Sequence, residues 1–463
     1  MLKRVLIANR GEIALRVLRA CRELEIQTVV PYSEADADAL HVQLAGQAVC
    51  IGPAPAAESY LNQNALLTVA KATGCDSVHP GYGFLSENAD FADACTRAGL
   101  TFIGPSGKSI RMAGSKSEAR SRMRAAGVPV TPGSDGPVES AEEARAVAEQ
   151  VGYPVLLKAS AGGGGRGIRR CDGPEELSTA FAEARAEAIA CFGNGELYLE
   201  KLVLRPKHIE VQILADRFGN VIHLGERDCS VQRRNQKLIE EAPAICLTAQ
   251  QRREMGEAAV RVARAVGYES AGTVEFLLDP ESGAFYFMEM NTRIQVEHGI
   301  TELVTGVDLV REQLRIASGL PLSITQEEVQ IKGHAIECRI NAEDPAQNFQ
   351  PCPGTVNFVH FPGGPGVRVD SCLYSGCTMP ACYDSLAAKL MVHAPTRLEA
   401  IRKLRRSLEE FVLEGVQTNS ELAHELLYHP TFIRGTCTTA FLEECLPQLL
   451  ELDRRLSERE ESL

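Results

Sequence analysis

Apolar positions recur along this chain in a pattern that changes twice, and the changes divide it. From the first residues to about 112, short apolar runs alternate with stretches of helical spacing. Val5-Leu-Ile-Ala reads as a strand, Ile13, Val17, Leu18 and Cys21 share one helical face, and Gln27-Thr-Val-Val-Pro-Tyr is again extended. That alternation predicts βαβ units on a parallel sheet. From about 113 to 330, helices mix with antiparallel strands. A helical stretch runs from Ser117 to Ala126, and Pro129-Val-Thr-Pro-Gly133 marks the entry to a smaller lid, about 131–202. The lid's strands are Pro154-Val-Leu-Leu-Lys158 and Ile168-Arg-Arg, on either side of a glycine run. Gly333-His-Ala-Ile-Glu-Cys-Arg-Ile opens a third unit, 331–447, with glycine-rich turns at 362–366 and helical spacing from Leu398 onward. The charged tail is 448–463, and its last dozen residues are expected to fray. The fold class expected is α/β and α+β.

The hydrophobic pattern is broken most sharply at Phe287-Met-Glu-Met-Asn-Thr-Arg-Ile-Gln-Val-Glu297, where charged and amide groups crowd the end of an apolar strand. Upstream, Thr273-Val-Glu275-Phe-Leu-Leu reads as its partner strand, and Asp279-Pro-Glu-Ser-Gly-Ala284 supplies turn residues. A hairpin centred near Ser282 sets Glu275 opposite Glu289. Opposed Cβ atoms lie about 4.5–5.5 Å apart, and like charges there are destabilising unless neutralised. A divalent cation neutralises them, and hard oxygen donors, with Asn291 on the same face, suit Mg²⁺ shared with nucleotide phosphates. The alternative is a solvated, acid-rich hairpin face.

Composition narrows the classes of function. The 463 residues, 44% hydrophobic, suffice for two or three domains. A net charge of -13 argues against a general nucleic-acid or membrane-surface binder. No stretch has a signal-peptide core or approaches a membrane span. Fifteen scattered cysteines without a Cys-x-x-Cys point to reduced thiols and a cytoplasmic location.

Two motifs mislead. Asn9-Arg-Gly11 sits where a dinucleotide fold would carry its glycine fingerprint, which is missing. Gly104-Pro-Ser-Gly-Lys-Ser109 ends like a P-loop, but Phe102 stands where the first glycine belongs. The glycines from Gly162 to Gly165 and Gly167 are free to bring backbone N–H groups to phosphate oxygens, and Lys158 at a strand end adds a point charge. Cys229 has no chemistry assigned to it and reads as structural.

The run Glu289-Met-Asn-Thr-Arg-Ile-Gln-Val-Glu-His298 resembles the metal and substrate motif of biotin carboxylases, members of the ATP-grasp superfamily. Five further segments match that family in the same order: Ile7–Ala14, His79–Asn88, Lys158–Gly167, Glu226–Arg234 and Glu337–Glu343. The resemblance covers nearly the whole chain. It implies an N-terminal α/β domain, a central ATP-grasp domain with a glycine-rich lid, and a C-terminal biotin carboxylase domain.

By the same resemblance, Glu275 and Glu289 hold Mg²⁺ or Mn²⁺ with Asn291 beside them. ATP is met by Lys116, Lys158, Gly163, Gly164 and Gly165, by the hinge Glu200, Lys201 and Val203, and by His208, Gln232, Asn235 and Leu277. Lys237, Arg293, Gln295 and the Val296 backbone surround bicarbonate, and Glu297 is the general base. Arg339 stabilises the enolate-like biotin oxygen, and Tyr82 packs near biotin. Three positions depart from the family pattern: Asn235 in place of His, Gly299 in place of Pro, and Ala161 in place of a lid glycine. Gly299 is expected to loosen the chain beyond Glu297.

The activity implied is the ATP- and bicarbonate-dependent carboxylation of biotin through carboxyphosphate. No Met is followed by Lys, so the biotin is expected on a separate biotin carboxyl carrier protein. Carboxyltransferase subunits would pass the carboxyl group to acetyl-CoA for fatty acid synthesis, with propionyl-CoA, another acyl-CoA or pyruvate as alternative acceptors. A homodimer is implied by resemblance. Rival readings are a biotin-independent ATP-grasp ligase in the style of carbamoyl phosphate synthesis and a catalytically weak scaffold.

Overall fold

A computed structural model describes residues 2–114, 116–160 and 167–460, with side chains at 116–118 and 452–460 outside that description. The lid positions Gly163, Gly164, Gly165 and Ala161 and the Lys116 side chain therefore lie outside the described residues.

The N-terminal sheet is wholly parallel. Its strands run in the order Gln47–Gly52, Gln27–Ser33, Arg4–Ile7, Ser77–His79, Thr101–Phe102. The order reverses between Arg4–Ile7 and Ser77–His79, which opens a crevice where their following loops diverge. Asn9 ties those loops together, its Nδ2 donating to the carbonyls of Pro80 and Tyr82, each at 2.7 Å. Helix Gly11–Glu23 buries Ile13, Val17, Leu18 and Cys21 against the sheet, the face read from their spacing.

The centre of the molecule is one antiparallel sheet of eight strands, in the order Phe285–Asn291, Ser270–Leu278, Lys207–Ala215, Val221–Arg233, Gln236–Ala242, His334–Asn341, Leu386–Ala394, Val367–Ser371. Helix Ala249–Ala265, started by a Thr248/Gln251 capping box, lays Met255, Ala258, Ala259 and Val262 into the core beneath it. The sheet does not stop where the third unit begins: Gln236–Ala242 pairs with His334–Asn341 along four residues. The lid carries its own three-stranded sheet, Ile168–Cys171, Val155–Ala159, Leu197–Lys201, packed on helices Ala141–Val151 and Leu177–Phe192.

The charged tail is entered along a helix. Its backbone continues a helix, Phe441–Glu460, through Pro447. Leu442 and Cys445 are buried, and Leu446 and Leu449 pack beside them at helical spacing on the C-terminal core, which holds the helix across the proline.

Candidate active site

The acid-rich hairpin forms in the register its turn residues imply. Glu275 stands opposite Glu289 and Thr273 opposite Asn291, with a register shift just past Glu275. Ser282 Oγ donates to Asp279 Oδ2 at 2.6 Å inside the turn. The two glutamates have different surroundings: Glu275 is buried, whereas Glu289 is exposed. Glu275 Oε1 accepts from Lys237 Nζ at 2.9 Å, Asn291 Nδ2 at 2.9 Å and Gln295 Nε2 at 2.8 Å, and His208 Nε2 lies 3.1 Å from Oε2. Burial opposes the charge, but Lys237 and His208 outweigh it and hold the carboxyl well below the usual range. An ionised Glu275, the exposed Glu289 carboxylate and the Asn291 amide oxygen form a hard-oxygen donor set that fits Mg²⁺ or Mn²⁺. Among the described residues His208 and Glu210 also bring ligand atoms close to Glu275. Glu210, however, is committed to Arg227 and Lys237.

Lys237 reaches this cluster because of a tight turn. Arg234 and Asn235 both take positive φ, 47° and 66°, in a two-residue hairpin that pairs Arg233 with Gln236 and Gln232 with Lys237. Asn tolerates that conformation well, so Asn235 serves the turn, where its side chain is exposed at the tip. Lys237 Nζ then meets Glu210 at 2.5 Å, Glu275 at 2.9 Å and Glu297 at 2.7 Å. Three carboxylates around one ammonium overcome its burial and push its pKa well above the ordinary value.

Glu297 lies between two cations. Its second oxygen accepts from Arg339 at 2.9 Å, and Arg339 Nε donates to Glu240 at 2.6 Å. Burial opposes ionisation, yet Lys237, Arg339 and Arg227 keep Glu297 charged to far below the usual carboxylate range. Arg227 itself is fully buried and donates to Glu210, Gln212, Thr273, Thr301 and the Gln295 side-chain oxygen. It thereby orients Gln295 toward Glu275.

Arg293 is held by the N-terminal domain. Its Nε donates to Glu87 Oε2 at 2.9 Å and its Nη2 to Asn291 Oδ1 at 3.0 Å, while Glu87 also accepts from the Thr292 N–H at 3.0 Å. Tyr82 stands in the crevice loop with its hydroxyl donating to Glu12. The Val296 carbonyl accepts from Lys389 Nζ at 2.9 Å.

On the nucleotide side, Lys158 Nζ meets Glu200 at 2.5 Å, and Arg120 holds Glu200's other oxygen at 3.1 Å. Lys201 directs its ammonium to the Gly152 and Tyr153 carbonyls at 2.9 and 2.7 Å, leaving only its backbone for a base. Val203, which follows it, is half-buried. Leu277 pairs with His208 across neighbouring strands and is half-buried. Gln232 contacts His208 Nδ1 at 3.3 Å and donates to the Cys229 carbonyl at 3.2 Å. Burial and then Glu210 push the Cys229 thiol well up, in keeping with a structural cysteine.

The Gly299 expectation is corrected. Gly299 is buried in the first turn of helix His298–Thr305, and a Cβ there would meet Met391 Sδ at 2.3 Å. The residue answers a close approach between elements rather than loosening the chain. Gly104–Ser109 leads into helix Gly107–Gly114, but Phe102 stands at the first glycine position and the Ser109 hydroxyl is spent on the Gly267 carbonyl at 3.0 Å.

Sequence reasoning left out Arg227, Glu87, Glu240 and Lys389. Arg227 and Glu87 fall within matched motifs, and Lys389 interrupts the apolar run Leu386–Ala394, a charge at a core position that signals a partner.

An ATP-binding centre beside a cluster of cations accommodates several ligases, and the family models separate them. Residues 115–325 match the carbamoyl-phosphate synthase L chain ATP-binding domain, which leaves the rivals level. Residues 1–110 match the biotin carboxylase N-terminal domain and 337–444 the biotin carboxylase C-terminal domain. The chain belongs to the biotin carboxylase family. It is 55% identical to biotin carboxylase 1 of Bacillus subtilis over 96% of this chain and 98% of that one. It is 53% identical to the chloroplastic biotin carboxylase of Arabidopsis thaliana over 97% and 83% of the two chains. Among solved structures, the biotin carboxylase domain dimer of Hydrogenobacter thermophilus 2-oxoglutarate carboxylase, with MgADP, ADP and bicarbonate, is 50% identical with a TM-score of 0.90. That likeness covers 97% of this chain and 99% of the other. A Campylobacter jejuni biotin carboxylase in complex with β,γ-ATP is 46% identical with a TM-score of 0.91, over 96% and 99%. The three-domain biotin carboxylase fold expected from the motifs is therefore the fold of this chain.

Proposed function

We propose that this chain carboxylates biotin, carried on a separate protein, using ATP and bicarbonate, as the first half-reaction of acetyl-CoA carboxylase in malonyl-CoA synthesis. The observation that carries the reading is Glu297, held by Lys237 through one oxygen and by Arg339 through the other. A base set between an anion-binding lysine and an oxyanion-binding arginine can serve both halves of one reaction.

Bicarbonate enters between Lys237, Arg293, Gln295 and the Val296 backbone. The entering anion competes with Glu297 for Lys237, which raises the carboxylate's basicity toward what proton abstraction requires. Glu297 removes the bicarbonate proton, and the resulting dianion attacks the γ-phosphorus of ATP to give carboxyphosphate and ADP. Bound Mg²⁺, held by Glu275 and Glu289 with Asn291, supplies neutralisation of the phosphoryl charge. Carboxyphosphate then breaks into CO₂ and phosphate, the phosphate takes the biotin ureido proton, and the ureido nitrogen attacks CO₂. Arg339 faces the oxyanion that develops on the ureido oxygen. Lys158, Lys116, the lid glycines, Glu200 to Val203, His208, Gln232, Asn235 and Leu277 are proposed around the nucleotide, and Tyr82 beside biotin.

A biotin carboxyl carrier protein and carboxyltransferase subunits complete the proposed assembly. The dimer of the Hydrogenobacter domain supports a homodimer here. Fifteen cysteines, all free, support a cytoplasmic location. We take 1–112, 113–330 with its lid at 131–202, 331–447 and 448–463 as its working units. A second reading, pyruvate as final acceptor, is favoured by likeness to the biotin carboxylase subunit of a pyruvate carboxylase, 50% identical with a TM-score of 0.86.

ADP release by the purified chain with Mg²⁺, ATP and bicarbonate, with and without free biotin, tests the reading. Biotin stimulation with carboxybiotin formation supports it. ADP release that biotin does not stimulate, with no carboxybiotin formed, overturns it in favour of a ligase.

A further inference from the structure

Lys389 is a fully buried ammonium with no role in the chemistry above. It lies in the strand Leu386–Ala394 directly across from Arg339, two cations opposed on neighbouring strands. Such a pair persists only if each has its own anions. Arg339 is met by Glu240 and Glu297, whereas Lys389 has a separate set of acceptors. Its Nζ lies 3.0 Å from Glu12 Oε1, 3.7 Å from Asp370 Oδ2, and donates to the Val296 carbonyl at 2.9 Å.

Those contacts gather three parts of the molecule onto one atom. Glu12 comes from the first turn of the N-terminal helix, Val296 from the segment after the acid hairpin, and Asp370 from the edge strand of the large sheet. Each is tied further on. The same Glu12 oxygen accepts the Tyr82 hydroxyl, and Asp370 is held by Arg368, which also meets Glu302 at 2.7 Å. Val296 immediately precedes Glu297. One ammonium therefore sets the position of the aromatic ring on the crevice side and of the backbone that carries the base.

We propose that Lys389 is a positioning residue for the biotin half-reaction, holding Tyr82 through Glu12 on one side and the Val296–Glu297 backbone on the other. The assignment rests on the biotin carboxylase reading above. A lysine rather than an apolar residue is required because only a charged donor satisfies a carboxylate and a carbonyl at once in a site closed to water. A simple interdomain staple would contribute stability alone, whereas a positioning residue must change how biotin is used.

The test pairs Lys389→Met with Glu12→Gln, so that no unpaired charge is left where Lys389 meets Glu12 and folding is retained. Thermal unfolding checks the fold, calorimetric titration with free biotin gives affinity, and steady-state kinetics separate KM from kcat. The double variant is expected to keep the wild-type KM for ATP while its KM and Kd for biotin rise at least tenfold. Tyr82→Phe should raise biotin KM several-fold in the wild-type background and less than twofold in the double variant, because both changes cut the same path. Unchanged biotin KM in the folded double variant, or fully additive effects with Tyr82→Phe, overturns the Lys389 assignment while leaving the carboxylase reading intact. A wild-type chain that neither binds nor carboxylates biotin overturns both.

Discussion

Glu275 and Glu289 face each other across the hairpin, yet one is sealed among four polar side chains and the other is exposed to solvent. Substituting them should therefore have different costs. Glu289→Gln is expected to nearly abolish ATP turnover with Tm essentially unchanged, since no buried charge is disturbed. Glu275→Gln should lose turnover and also several degrees of Tm, because Lys237 loses one of its three carboxylates. Wild-type-like turnover in Glu289→Gln would refute the metal assignment.

Arg339→Ala separates the half-reactions. Carboxybiotin formation is expected to fall by about 10²–10³-fold, the usual cost of losing one oxyanion donor. Bicarbonate-dependent ADP release should fall less, because Lys237 still faces the bicarbonate side of Glu297. Equal losses in both assays would show that Arg339 does not distinguish them.

Glu241 predicts an acid limb of stability. Burial works against its charge, but His334 at 2.8 Å and the Arg397 guanidinium outweigh that and lower its pKa to about 2. A depressed carboxyl stabilises the fold fully above its unfolded value near 4.5, and the contribution is lost as pH falls from there through about 2. The shift corresponds to on the order of 3 kcal/mol. Glu241→Gln should lower Tm at pH 7 and flatten the decline below pH 4.5, as thermal unfolding across pH will reveal.

Glu337 carries the opposite sign. It is fully buried opposite Glu240, and neither of its oxygens has a hydrogen-bond partner among the described residues. Burial and the Glu240 charge push its pKa well above the ordinary value, while Arg339 is already engaged with Glu240. A raised carboxyl costs stability as pH climbs above its unfolded value. Glu337→Gln should thus be at least as stable as wild type at pH 8, with the difference shrinking toward pH 4.5. A strongly destabilised Glu337→Gln at pH 8 would indicate a charged Glu337 instead.

Gly299→Ala tests the close approach to Met391. The added methyl meets Met391 Sδ at 2.3 Å, and overpacking of this kind costs about 1–3 kcal/mol. Denaturant unfolding should show that loss, and a smaller residue at 391 should recover part of it.

What the sequence could convey depended on distance along the chain. The hairpin and its opposed glutamates were legible because turn residues and alternation act within twenty residues. The strands and helical face that open the N-terminal domain were legible from equally local spacing, whereas the pairing of Arg4–Ile7 with Ser77–His79 was not. Arg227 was not, since it joins Glu210, Thr273, Gln295 and Thr301, contacts set by sheet order rather than by any local pattern. The Arg339–Glu240 pair spans 99 residues and was equally hidden. The turn that Asn235 makes was equally local, yet its positive φ in a two-residue hairpin was not read from the sequence.

The large sheet runs without interruption from the acid hairpin into the last third of the chain, and its fifth ladder, Gln236–Ala242 on His334–Asn341, joins two units that look separable in one dimension. A gene cut near codon 330 would release a fragment with a bare strand edge and with Glu240 stripped of Arg339. Such fragments would associate with themselves before they folded. Shuffling of these modules between enzymes is thus constrained to exchange both sides of the seam together, and any split-protein reporter built on this scaffold must be divided in the lid.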